Sequence, residues 1–145
     1  MWRDTVQALG GILAAHPGAR NIRTAREALG LVRVGADSPP ETHLRLAIVR
    51  AGLPEPVLNH VVWGSAGAPE LWPDAAYPEY SVSLQYDGAH HGEPGQHLRD
   101  IRRAGTTDRL GWLEVRLCKD DLKGERPAVV HKVRRALQSR GWAAR

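Results

Sequence analysis

Tyr80-Ser81-Val82-Ser83-Leu84-Gln85-Tyr86-Asp87-Gly88 is the stretch on which the reading of this chain turns. Val82 and Leu84 alternate with Ser81, Ser83 and Gln85. That period of two is what a strand with one buried face requires. Asp87-Gly88 is a turn-forming pair that closes it. Upstream, Leu71 to Tyr77 reads as a second strand, joined to this one across Pro78 and Glu79 as a hairpin. Val57 to Trp63, rich in β-branched and aromatic residues, reads as an earlier strand, set off by the turn-forming interval Gly64 to Pro69. Downstream, a loop with His90, His91, Gly92, Pro94 and Gly95 leads into a basic helix from Gln96 to Leu110, stopped by Gly111. Trp112 to Leu117 is a further strand.

Helices surround these strands. Ser38-Pro39-Pro40-Glu41 has the form of a helix start: an N-cap serine, proline at the first helical position and glutamate at the capping-box position. The helix it opens turns Leu44 and Ile48, with Ala47 and Ala51, toward a core and ends at Gly52 and Pro54. Pro127 to Ser139 is a final amphipathic helix, with Val129, Val130, Val133 and Leu137 on one side and Lys132, Arg134 and Arg135 mostly on the other. The expectation is an α/β domain over residues 38–145 with a short helical extension over residues 1–37. That extension reads as two helices, Asp4 to Ala15 and Ala19 to Val34, split by His16-Pro17-Gly18.

A chain of 145 residues is long enough for one real core and too short for two independent ones. The single cysteine, Cys118, cannot form an internal disulfide, and no cysteine pair exists to bind zinc. Its apolar stretches are short and interrupted by glycine, and its start lacks a signal-peptide layout, so the expected location is the cytoplasm, away from membranes. The net charge of +4 is unevenly spread. Seven arginines face nine acids up to His91, whereas thirteen Lys and Arg face seven acids from Gly92 onward. No Lys or Arg occurs between Arg50 and Arg99. An acidic centre beside basic helices suits an enzyme that holds a divalent cation against a polyanion. The same arginines also fit a plain solvated helix surface.

Acids stand at the ends of the second and third strands. Phosphodiester hydrolysis needs an activated water and stabilised negative charge, both of which Mg²⁺ on two or three oxygen ligands supplies. Asp74 and the Gln85-Tyr86-Asp87 segment meet if their strands are adjacent and antiparallel.

Five segments carry a resemblance: Ser38-Pro39-Pro40-Glu41, Asp74-Ala75-Ala76-Tyr77, Leu84 to His91, Arg99-Asp100 with Arg102-Arg103, and Leu110-Gly111-Trp112. In this order and spacing, over residues 38 to 140, they resemble an actinobacterial family similar to the very-short-patch-repair endonucleases. The resemblance implies a restriction-endonuclease-like fold with a central mixed four-stranded sheet flanked by helices. It also implies a metal-dependent endodeoxyribonuclease using Mg²⁺, or Mn²⁺ in its place, and acting on DNA. Carried over, Asp74, Gln85 and Asp87 are the metal ligands, Glu41 orients water or metal, and His91 handles protons. Arg99, Arg102, Arg103 and Arg116 are the expected DNA contacts. The departure is Gln85, where the family has glutamate: a neutral amide removes one charge from the site and weakens it. Asp87 stands where the wider superfamily has a lysine.

Each residue has a plainer role beside the functional one. Glu41 suits a capping box, Asp74 and Asp87 suit turns, and Gln85 suits the solvent face of a strand. His91 competes with His90 and His97, and Asp100 pairs readily with Arg103 along a helix. Trp112 reads as core more readily than as a base-stacking platform, and Cys118 as a buried or inert thiol. The alternative to a nuclease is a catalytically silent DNA-binding relative, or a regulatory domain of a toxin-antitoxin or phage-defence system. Double-strand cleavage would favour a homodimer.

Overall fold

A computed structural model describes residues 2–35, 38–87, 95–125 and 127–144. The chain divides into two units, Met1–Gly35 and Ala36–Arg145. The first consists of α1 (Trp2–Ala15) and α2 (Ile22–Gly30), packed on each other. The break at His16-Pro17-Gly18 falls where proline and glycine require it. α2 is shorter than the expected Ala19 to Val34, because Asn21 adopts a left-handed conformation (φ 61°) that cannot continue a helix backward, and the helix ends at Gly30. Arg26 donates to the Leu13 carbonyl at 3.0 Å, a tie from α2 to α1.

The second unit begins with α3 (Pro39–Arg50). Ser38 Oγ accepts from the Glu41 backbone N–H at 3.4 Å and donates to Glu41 Oε1 at 2.6 Å, so the expected cap forms and holds the Glu41 side chain at the helix start. Gly52, at φ 73°, supplies the left-handed residue that ends α3. The expected strand Val57 to Trp63 is two strands. Asn59, at φ 52°, turns the chain after β1 (Val57–Leu58), and β2 (Val62–Trp63) then pairs with β3 (Pro69–Leu71) as a separate antiparallel ribbon. In the turn between them, a Cβ at Gly64 would overlap the Glu70 side chain, which would have to swing aside. The expected strand Leu71 to Tyr77 divides likewise, since Pro73 has no N–H for a ladder. Only Ala75–Tyr77 joins the main sheet, as β4.

A short 3-10 turn (Pro78–Tyr80) leads to β5 (Val82–Asp87). β4 and β5 are antiparallel, in the register Ala75↔Leu84, Ala76↔Ser83 and Tyr77↔Val82. α4 (Gln96–Arg109) crosses over to β6 (Leu113–Cys118), which runs parallel to β5 with Gln85 opposite Arg116. A second 3-10 turn (Lys119–Leu122) precedes α5 (Ala128–Ser139). The sheet order is β1-β4-β5-β6, with one parallel and two antiparallel pairings, so the expected mixed four-stranded sheet flanked by helices is what forms.

The two faces of the sheet follow from the alternation. Val82, Leu84 and Leu117 point to one face, where they pack with Leu44 and Ile48 of α3 and Val129, Val133 and Leu137 of α5. Burying such a side chain contributes about 2 kcal/mol each. Ser83, Gln85, Glu114 and Arg116 point the other way. That face receives α4, through ion pairs from Arg103 to Glu114 and from Arg116 to Asp100. Among the described residues no helix is long and apolar enough to cross a membrane.

Candidate functional site

The β4–β5 register decides where the acids lie. One step beyond the Ala75↔Leu84 pair, Asp74 stands beside Gln85, and its Oδ2 accepts from Gln85 Nε2 at 3.0 Å and from the Tyr86 backbone N–H at 2.7 Å. The strand end is therefore closed by a carboxylate in place of a ladder carbonyl. Burial pushes the Asp74 carboxyl above the usual aspartate value. The Tyr86 N–H opposes that shift, the negative charge of Glu41 adds to it, and Arg103 and Gln85 oppose it. Glu41, at the start of α3, and Arg103, on α4, thus lie within electrostatic reach of Asp74.

Among the described residues, two buried polar atoms here have no hydrogen-bond partner: Gln85 Oε1 and Arg103 Nη2. Leaving such an atom unsatisfied costs about 1–3 kcal/mol. Arg103 Nε donates to Glu114 Oε2 at 2.6 Å, with the two side chains 24% and 10% exposed, so this arginine is turned toward the sheet. It does not pair with Asp100 along the helix, because Asp100 is engaged by Arg116 at 3.2 Å.

Asp87 was expected beside Asp74 and Gln85 as a third metal ligand. Alternation puts it on the same face as Gln85, but two residues further along β5. Both of its oxygens are taken by Arg116, from Nε and Nη2 at 2.9 Å each. Asp87 foremost, with Asp100 beside it, holds the Arg116 guanidinium firmly in its charged form. Arg116, expected at a DNA phosphate, is thereby occupied within the protein. Among the described residues no three His, Cys, Asp or Glu side chains gather as a ligand set; what comes together is Glu41, Asp74 and the amide of Gln85.

Arg99 and Arg102 are exposed on α4. His91 and His90 lie outside the described residues, and His97 is exposed at the start of α4. Trp112 is partly buried, its ring 5.7 Å from that of His60, in keeping with a packing role. Cys118 is exposed, not buried: its thiol faces Asp121 Oδ2 at 3.5 Å at the start of the turn after β6. Two features were not anticipated. Glu114 as the anchor of Arg103 was signalled only by its polar place between Leu113 and Val115. Trp63, in β2, and Trp72, just after β3, are 61% and 59% exposed, on the stretch that leads into Asp74.

The fold and this cluster define a mixed α/β domain with an acid-amide-arginine site where β4 and β5 begin and end. Two Mycobacterium tuberculosis proteins are similar to the chain: Uncharacterized protein MT2308 (strain CDC 1551 / Oshkosh) and Uncharacterized protein Rv2248 (strain ATCC 25618 / H37Rv). Each is 32% identical over 127 residues, which is 86% of this chain and 46% of the relative. The chain thus spans about half the length of the curated relatives it matches. No protein-family profile and no solved structure matches it.

Proposed function

We propose that the Ala36–Arg145 unit is a metal-dependent endodeoxyribonuclease domain related to the very-short-patch-repair endonucleases. The observation that carries this reading is the convergence of Glu41, Asp74 and Gln85 from three elements, with the Gln85 Oε1 atom buried and, among the described residues, unpartnered. Carboxylate and amide oxygens are the hard donors that Mg²⁺ or Mn²⁺ takes. An orphaned amide oxygen among acids fits such a cation, so Asp74, Gln85 and Glu41 are the residues that would hold it. The cation would supply charge stabilisation at the phosphate and lower the pKa of a water.

The chain's own groups do the rest. The Tyr86 N–H and the Gln85 amide fix the Asp74 carboxylate in one orientation. Arg103, anchored by Glu114, brings a guanidinium beside the acids, where it can offset negative charge on a phosphate. Arg99 and Arg102 face solvent for contacts to the DNA backbone, and Trp63 and Trp72 offer stacking surfaces to bases.

Plasmid nicking in Mg²⁺ and Mn²⁺ tests the reading, with the wild-type chain, Gln85→Glu and Asp74→Asn compared. Gln85→Glu restores a carboxylate and should raise activity about tenfold or more, because cation affinity follows ligand charge; Asp74→Asn should abolish it. If neither the wild type nor folded Gln85→Glu nicks DNA, the catalytic reading is lost. A second reading has its own observation: with Asp87 committed to Arg116, the site has fewer free acids than a full metal centre, as a silent DNA-binding relative would. That reading requires salt-sensitive DNA binding with no response to metal.

A further inference from the structure

On the outward side of the helical layer, α3 and α5 flank a cavity of about 710 Å³. Helical phase explains its position: Leu44 and Ile48, with Val129 and Val133, face the sheet, leaving His43, Ala47 and Arg50, with Val130, His131 and Arg134, toward the valley. Its floor is apolar, from Leu46, Ala47, Val130 and Leu122. Its cationic and titratable lining is Arg50, Arg134, His43 and His131, against the single acid Glu125.

The pairing state of these groups is informative. Arg45, Arg103, Arg109 and Arg116 each hold an acid within the unit. Arg50 and Arg134 hold none among the described residues, and His43 and His131 have no hydrogen-bond partner there either. Two guanidinium groups without counter-ions beside an apolar floor form a site with an unmet charge and an unmet surface. Its volume lies in the range of small-molecule pockets, which are mostly apolar with a few polar groups that orient the ligand. The lined stretch covers about two turns of each helix, roughly 12 Å. That length suits a compact ligand more than a docked helix.

We propose that this valley is a binding site for a small anionic amphiphile: an aromatic or alkyl body carrying a phosphate or carboxylate. The body rests on Leu46, Ala47 and Val130. The anion is held by Arg50 and Arg134, whose planar forks match either group bidentately. This site is separate from the acid-amide cluster and stands whether or not that cluster cleaves DNA.

Calorimetric titration of the full chain with 2-naphthyl phosphate, 2-naphthoate and neutral 2-naphthol tests it. Both anions should bind, with naphthol weaker by about tenfold or more, since only the anions satisfy the arginines. The double variant Arg50→Gln with Arg134→Gln should lose about tenfold or more in anion affinity and leave naphthol within about twofold. Anion binding preferred for phosphate over carboxylate, or the reverse, identifies the head group. Three results would overturn the proposal: naphthol binding as tightly as the anions, the double variant retaining anion affinity, or no anion binding at millimolar concentration. Amide chemical shifts of the wild-type chain give a check that needs no variant. Perturbation by 2-naphthyl phosphate must map to the outward residues of α3 and α5, and a map centred elsewhere overturns the site.

Discussion

Asp74 is a charged group held where the fold does not favour its charge. Its carboxyl is raised by burial above the unfolded value, and Glu41 repels it further. A raised carboxyl means the folded state binds the proton more tightly than the unfolded chain, so the charge is a penalty at neutral pH. That penalty is relieved as pH falls through the raised folded value. Asp74→Asn removes the charge and keeps an oxygen to accept from the Gln85 amide and the Tyr86 N–H. It should raise stability at pH 7 by on the order of 1 kcal/mol, with the gain shrinking toward acid pH as the wild-type carboxyl becomes neutral. Thermal unfolding of both proteins from pH 3 to 8 checks this; equal or lower stability of the variant at pH 7 would refute it. Gln85 has a complementary place, because its Nε2 donor supplies Asp74 with the positive partner that a cation would otherwise be. Of these residues, Asp74 and Gln85 were expected to meet only on the condition that their strands pair antiparallel, a condition the β4–β5 register meets, and Gln85 was singled out by the resemblance and not by its alternating strand. The engagement of Asp87 by Arg116 was not legible, because it depends on a parallel crossover register that no local pattern encodes.

At the scale of elements, α3 joins the cap to the site. Ser38 holds both the first turn and the Glu41 carboxylate. Ser38→Ala should cost about 1 kcal/mol of stability through the lost cap. It should also lower any cleavage activity more than that loss explains, because Ser38 no longer positions the Glu41 carboxylate. Chemical denaturation gives the first quantity and nicking at a temperature where the variant stays folded gives the second. Activity unchanged in the folded variant would detach Glu41 from the site. α3 was readable because cap, proline and apolar spacing all agree. The β1 to β4 region was not: its β-branched run reads as one strand, and the left-handed Asn59 that cuts it is only one residue whose conformation the tertiary pairing selects. Pro73 carried the better warning, since proline within an apparent strand argues for a break.

For the molecule as a whole, the excess of cations after Gly92 was plain from composition, but not which of them remain for a partner. Arg103, Arg109, Arg116, Lys123 and Lys132 are held by acids of the same unit. Arg102 is exposed and enters no ion pair among the described residues. If the basic face binds DNA, counterion release makes the logarithm of affinity fall linearly with that of salt, by about 0.9 per phosphate neutralised. Arg102→Ala should therefore reduce the slope by about 0.9 and leave thermal stability nearly unchanged. Arg116→Ala should leave the slope as it is and lower stability, because it strips Asp87 of the guanidinium that holds both its oxygens and removes the Arg116 contact of Asp100. Fluorescence anisotropy with a labelled duplex between about 50 and 200 mM salt separates the two variants. Should Arg116→Ala flatten the salt dependence as much as Arg102→Ala does, the Arg116 guanidinium exchanges its internal acids for phosphate on binding, and the division between structural and DNA-facing arginines drawn from the unbound fold is wrong.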